Sequence, residues 1–224
     1  MNHSATLIPA FPELPGVVAG LTTMSAGSPT EAVQVVRDAT GVGHHLRCVH
    51  QVHGDHIVGD EAWHEGVQAD GITSMRAGVA VAVRVADCCG ILMVDPTCGV
   101  IAAVHSGWRG TAQNIAGAAV GHLATAYGVS PQHLRVWLSP CASGANYQVG
   151  QDVHRVLSEY CDPHPTDPST WLFDNIRAIT CQLAEAGVTH VTASGLCTIA
   201  DRRFHSYRRD QERSGRGLAF IALR

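Results

Sequence analysis

Residues 78–110, GVAVAVRVADCCGILMVDPTCGVIAAVHSGWRG, decide how this chain folds. Val79, Val81, Val83 and Val85 alternate with smaller or polar residues, the period-two pattern of a strand with one well-buried face. The apolar runs at 91–94 and 100–104, separated by Asp-Pro-Thr-Cys-Gly, predict a β-hairpin. Placing its loop at 95–98 makes Val94 face Gly99 and sets Cys88 opposite His105. Directly opposed residues share a face with Cβ atoms roughly 4.5–5.5 Å apart, close enough for a shared metal or a thiol–imidazole hydrogen bond. A bulge at Gly90 would shift that register.

Outward from this hairpin the pattern mixes strands and helices. The first 30 residues are rich in Pro, Gly, Ser and Thr around short apolar pieces, so the start is weakly patterned. A helix is expected from about Pro29 to a stop near Gly41. Strands are expected at 46–58, interrupted at Gly54, and at 70–74. A helix from about Thr111 to Tyr127 carries Ile115, Ala119 and Leu123 on one face, with Gly128 as its stop. A strand at 134–138, a helix at 149–160 and a loop at 163–168 follow. Ser169 can cap a helix in which Leu172, Ile176, Ile179 and Leu183 recur until Gly187, and the last strands are at 188–192 and 217–223. Without regular β-α-β alternation, this predicts an α+β fold of mixed-sheet α/β layers.

The chain has 224 residues, 46% of them hydrophobic and 15% charged, with no linker, which suits one large domain spanning 1–224. Neither a membrane-length apolar run nor a signal-peptide pattern is present, so a cytoplasmic protein without a membrane partner is expected. A net charge of −4 gives no general attraction to nucleic acid. The cluster Arg202, Arg203, Arg208, Arg209, Arg213 and Arg216 has only Phe204 and Tyr207 interleaved, too few aromatics for a stacking platform. The eight cysteines contain no C-x-x-C pair and are expected to be reduced thiols. The sequence sets no oligomeric state.

Any one of His53, Cys88 and His105 alone reads as structural: a strand-end histidine, a buried thiol, a turn histidine. Together, two imidazoles and a thiolate are the ligand set of an open zinc site, with a fourth position left for water or substrate. A Cys–His nucleophile pair is the competing use.

In order along the chain stand HQVHG (50–54), ADGITS (69–74), VADC (85–88), AVHSGWRG (103–110), YQVG (147–150) and FHSYRRD with a later SGRG (204–217). These motifs resemble the laccase-domain or polyphenol-oxidase-like family, also called peptidoglycan editing factors and regarded as purine nucleoside phosphorylases. The resemblance covers roughly residues 15–223. It implies a single-domain fold around a central Cys/His hairpin and a zinc ion held by His53, Cys88 and His105. It also implies phosphorolysis of adenosine, inosine, guanosine or methylthioadenosine, and deamination of adenosine, so the expected partners are a purine nucleoside and phosphate.

Zinc would activate water for deamination. Phosphorolysis needs a held phosphate and stabilisation of the departing base. Gly107 and Gly110 would let the backbone approach a ligand, and Arg109, just before a helix start near Thr111, offers a planar fork for phosphate. Asp70 and Asp87 are candidate acid, base or supporting groups, and Tyr207, Arg208 and Arg209 are candidates to close the pocket. Structural alternatives for the same residues are an Arg109–Asp87 pair, a core Trp108, turn-capping aspartates and a solvated arginine run.

The chain departs from the family at Met24, where an arginine would fall, at Val36-Arg37 for Asn-Arg, at Gln148 for glutamate, and in the vicinal Cys89. Two rivals remain. A Cys–His hydrolase or deamidase, including one that edits cell-wall precursors, would use Cys88 as nucleophile and His105 as base. A copper-dependent polyphenol oxidase would need a blue-copper site and a separate histidine cluster, and no H-x-H pair occurs.

Overall fold

The computed structural model describes residues 6–224; residues 1–5 lie outside the description. Two large sheets stack face to face. The first has the order β1 (Leu7–Ala10), β2 (Val17–Thr22), β14 (Gly217–Leu223), β6 (Ala80–Val85), β3 (Leu46–Cys48). The second runs β13 (His190–Ala193), β9 (Arg135–Leu138), β7 (Cys89–Asp95), β8 (Val100–Ser106), β5 (Gly71–Ser74), β4 (Ile57–Gly59). Parallel pairs at β3–β6, β4–β5 and β13–β9 make both sheets mixed. A small sheet of β10 (Gln148–Val149), β12 (Trp171–Phe173) and β11 (Cys161–Pro163) stands beside them. The Pro- and Gly-rich start is thus more ordered than its pattern suggests, because β1 and β2 pair antiparallel onto β14.

Side-chain alternation builds the layers. In β7, Leu92 and Val94 face the inter-sheet core with Val81, Val83, Val85, Ile101 and Ile221. Ile91 and Met93 point the other way, against α3 (Ile115–Tyr127) and α5 (Asn175–Glu185). On the outer face of the first sheet, Ala82 and Phe220 pack under Ala32 and Val36 of α1 (Pro29–Thr40). The result is helix, sheet, sheet, helix, in agreement with the mixed α/β fold class. It also explains why β6 is buried on both faces up to Arg84: Ala82 is the small residue over which α1 closes, and Ala80 packs with Val42 and Ala222.

Helix α1 has the expected limits, with Ser28 and Glu31 forming a reciprocal cap and Gly41 ending it in a left-handed conformation. Three expectations change. The segment 111–127 is two helices, α2 (Trp108–Ala112) and α3, broken where Asn114 takes a positive φ of 58° and caps the second through Gly117 N–H. Ser169 does not start a helix: Leu172 lies in β12, and Asp174 caps α5. The 149–160 segment becomes α4 (Gln151–Leu157) and a 3-10 turn.

A fourth change is the hairpin register. Asp95 pairs with Val100 and Gly90 with His105, one pairing step from the expected alignment. Asp95 remains in the strand because its carboxylate accepts from Thr97 N–H and Oγ–H, at 2.8 and 2.6 Å, leaving 96–99 as the loop with Gly99 at φ 68°. Among the described residues no helix is long and apolar enough to cross a membrane.

Candidate metal centre

The chain crosses from the first sheet to the second at residues 86–88, between β6 and β7. Asp87 makes the crossing in a left-handed conformation, φ 79°, which costs a non-glycine residue about 1–2 kcal/mol. Both carboxylate oxygens hold that bend: Thr198 Oγ1 donates to Oδ1 at 2.7 Å and Arg208 N–H to Oδ2 at 2.6 Å. Cys88 follows directly. His105 sits near the end of β8, and His53 lies in a loop between β3 and β4 with φ 63°.

These three residues, distant in sequence, converge. Their donor atoms all lie within 4.8 Å of one another, and the two imidazole rings meet edge to face with centroids 4.9 Å apart. His105 and Cys88 reach the same place despite the changed register, because Cys88 falls beside Gly107 and keeps the face it shares with His105. Gly107 has no side chain for a reason: a Cβ there would stand 2.8 Å from the Cys88 Sγ. At Gly110 a Cβ would stand 3.0 Å from the Gly54 carbonyl oxygen. The two glycines therefore make room for the walls of the site itself.

Asp70, with no exposed surface, organises the group. Its carboxylate accepts from the backbone N–H of Val52, His53 and Gly54 at 3.1, 3.0 and 2.8 Å. It also lies 2.8 Å from His105 Nδ1. Burial pushes the Asp70 carboxyl up, but the hydrogen bond from His105 and the amides of Gly54 and Val52 win and hold it below the usual carboxylate range. One ionised carboxylate thus fixes the His53 turn and the ring of His105, whose Nδ1–H it receives, leaving Nε2 facing the cluster.

Burial pushes the Cys88 thiol up as well, yet the charge and hydrogen bond of His105, then those of His53, outweigh it and bring the thiol down to about 6. Burial lowers His105, while the Cys88 thiolate and the Asp70 carboxylate raise it to about 9. A thiolate and two imidazoles are a borderline-soft donor set suited to a tetrahedral divalent ion, so these residues fit a metal.

The cluster forms part of the wall of a cavity of about 700 Å³. Arg109 lines it from inside the first turn of α2, not ahead of the helix, with its guanidinium 4.2 Å from the Trp108 ring centroid. It does not pair with Asp87, and Trp108 is half-buried at the cavity wall. Tyr207 and Arg208 also line the cavity; Arg208 lies 5.2 Å from the ring centroid of Tyr147. Arg209 does not. Its guanidinium is tied to Asp210 at 2.7 Å and to the carbonyls of Thr198 and Phe204 at 2.8 Å each.

The sequence reading passed over Tyr147, Arg84 and Arg216 as cavity residues. Arg84 carried a usable signal, since a charge inside the apolar run VAVAVRV has to meet something other than core. Burial, reinforced by the charge of Cys88, holds the Tyr147 phenol well above its usual range. All eight cysteines are free; Cys89 is buried with Sγ 3.7 Å from the Gly90 carbonyl, outside the cavity lining.

A family profile described as multi-copper polyphenol oxidoreductase laccase matches residues 28–224. A purine nucleoside phosphorylase of Xylella fastidiosa is 35% identical over 189 residues, 78% of this chain and 70% of that protein. The purine nucleoside phosphorylase YlmD of Geobacillus stearothermophilus is 32% identical across 95% of this chain and 92% of its own length. The crystal structure of YlmD from that organism superposes with a TM-score of 0.81 at 31% identity, covering 95% of this chain and 94% of YlmD. Bacillus licheniformis YfiH, at 23% identity, has the same fold, with a TM-score of 0.87 over 98% of this chain and 97% of its own.

Proposed function

This chain belongs to the multi-copper polyphenol oxidoreductase laccase family, and we propose that it is a zinc-dependent purine nucleoside phosphorylase acting on adenosine, inosine, guanosine or methylthioadenosine. Deamination of adenosine at the same site is the accompanying activity. The observation that carries this reading is the convergence of His53, Cys88 and His105 in a cavity that also presents Arg109 and Arg208.

In this reading His53, Cys88 and His105 hold the metal, which when bound supplies a Lewis acid beside the substrate. Asp70 keeps His105 in the tautomer that offers Nε2. Arg109 and Arg208 grip phosphate oxygens and aim one at the anomeric carbon, where the new C–O bond forms as the C–N bond to the base breaks. Trp108 and Tyr147 give the purine flat surfaces. The electron pair leaves with the base, beside the Tyr147 phenol, which keeps its proton. Asp87 holds the crossing bend, with both oxygens already engaged.

Purified protein incubated with adenosine and inosine, with and without phosphate, tests this when the products are separated by chromatography. Free base formed only with phosphate is the expected result, with activity lost to a chelator and restored by zinc. Inosine formed from adenosine without phosphate marks deamination. Free base formed equally well without phosphate, or no product, refutes phosphorolysis. Zinc and copper contents measured after purification without added metal separate zinc enzyme from polyphenol oxidase.

The lowered Cys88 thiol beside His105 also favours a second reading, a Cys–His hydrolase. It requires hydrolytic activity in metal-free protein that is abolished by alkylation of Cys88.

A further inference from the structure

The cavity of the metal cluster has a neighbour. A second cavity, of about 750 Å³, lies behind a wall shared by both and made of Arg84, Tyr207, Glu212 and Arg216. Helix α1 forms its other side with Val33 and Arg37, and Leu218 of β14 completes the apolar part. Its charged residues are three arginines and one glutamate.

The single glutamate offsets only one of those three charges. Among the described residues, none of Arg37, Arg84 and Arg216 forms an ion pair. The Nε of Arg37 is buried with no hydrogen-bond partner. Arg84 is the exposed member of an otherwise buried strand, opposite Leu218 in the β6–β14 ladder. Arg216 is held in place by donating from Nη1 to the Ser214 and Gly215 carbonyls at 3.0 and 2.9 Å, and its guanidinium lies 5.5 Å from the Tyr207 ring centroid. Neutral carbonyls and a ring position the charge without cancelling it. The Glu212 carboxylate is already accepting from the Tyr207 hydroxyl at 2.7 Å.

Three unpaired guanidiniums around one cavity repel one another, and a buried donor without an acceptor is costly. The repulsion is relieved if an oxyanion enters, and planar guanidinium forks match a phosphate group better than any other common biological anion save a carboxylate. The cavity is within the size range of small-molecule sites. It exceeds what a bare phosphate fills, and Val33 and Leu218 offer an apolar surface to a body attached to that phosphate.

We propose that this second cavity binds the phosphate group of a phosphate monoester of sugar or nucleoside size, through Arg37, Arg84 and Arg216. The site is separate from the phosphate position assigned to Arg109 and Arg208, and its existence does not depend on phosphorolysis.

Calorimetric titration of the full chain with inorganic phosphate and with ribose 5-phosphate tests the assignment. Two binding events are expected. Arg37→Ala weakens one at least tenfold and leaves the other, and Arg109→Ala does the reverse. Tighter binding of ribose 5-phosphate than of phosphate at the Arg37-dependent event is expected, and equal binding overturns the assignment to a monoester. A single event lost in Arg109→Ala and kept in Arg37→Ala overturns the second site while leaving phosphorolysis intact. A single event lost only in Arg37→Ala upholds the second site and removes the phosphate position from the phosphorolysis reading. If Arg37→Ala does not fold, Arg37→Gln is titrated in its place. Tungstate soaked into crystals gives an independent readout: density between Arg37 and Arg216 is expected, and density confined to Arg109 and Arg208 overturns the proposal.

Discussion

Replacing Asp70 by asparagine removes one charge and almost no volume, so its effect isolates the carboxylate. Four donors converge on Asp70: three consecutive backbone amides, from Val52 to Gly54, and His105 Nδ1. An asparagine keeps one oxygen, which can serve His53 N–H and His105. Its NH2 then confronts the amides of Val52 and Gly54, donor against donor. Each of these two donors costs about 1–3 kcal/mol when left unpaired, so metal-free Asp70→Asn is expected to unfold with about 2–6 kcal/mol less stability. Loss of the group that orients a histidine ligand typically weakens metal binding by about 10–100-fold.

Urea unfolding of metal-free protein and zinc competition against a chelating dye measure the two effects. The pH dependence adds a signature. Because the folded-state pKa of Asp70 is depressed, its contribution is fully present above the ordinary carboxylate range and is lost as pH falls through the lower folded-state value. The parent therefore loses stability in acid along a segment that the variant lacks. An Asp70→Asn protein within about 1 kcal/mol of the parent, a difference no larger than one hydrogen bond, and with unchanged zinc affinity would refute the organising role of this carboxylate.

Three further outcomes are expected. Gly107→Ala puts a Cβ 2.8 Å from Cys88 Sγ and 3.5 Å from His53 Cδ2; metal content after purification should fall sharply, and a fully loaded variant would contradict the packing described. Gly90→Ala places a Cβ 2.5 Å from that of Ala219, overpacking between the sheets that should cost about 1–3 kcal/mol in urea unfolding; an unmoved midpoint would count against it. In metal-free protein, alkylation of Cys88 by iodoacetamide should rise through pH about 6, where the thiolate forms. A Cys88 alkylation rate that rises only near the pH of an ordinary thiol would show that the histidines do not hold the thiolate.

The layers of this fold were legible where one physical rule acted alone. Alternation identified β6, two apolar runs around a turn identified β7 and β8, and Pro29 with Gly41 bounded α1. Legibility failed where a side chain redirected the backbone. Leu172 continues the helical spacing of Ile176 and Ile179, yet it pairs in β12, because Asp174 caps the helix at a point that spacing alone cannot mark. Asn114 breaks 111–127 in two by taking a left-handed conformation and capping through its own side chain, an option open to few residues.

The convergence of His53, Cys88 and His105 withstands the error in register. The hairpin register expected from a 95–98 loop is off by one pairing step, so that the residue opposite Cys88 is not His105. A step in pairing changes the sum of paired positions by two, however, and side chains alternate faces with a period of two. Cys88 and His105 therefore stay on the same face in either register, as diagonal instead of direct neighbours, and the bend at Asp87 brings them within reach. His53 was visible only by its chemistry, since nothing in the spacing of 53, 88 and 105 says that they meet. What ties it in is Asp70, whose carboxylate grips the His53 turn and the His105 ring together. That carboxylate, more than any of the three donors, is why a loop histidine 52 residues from its strand partner belongs to the same site.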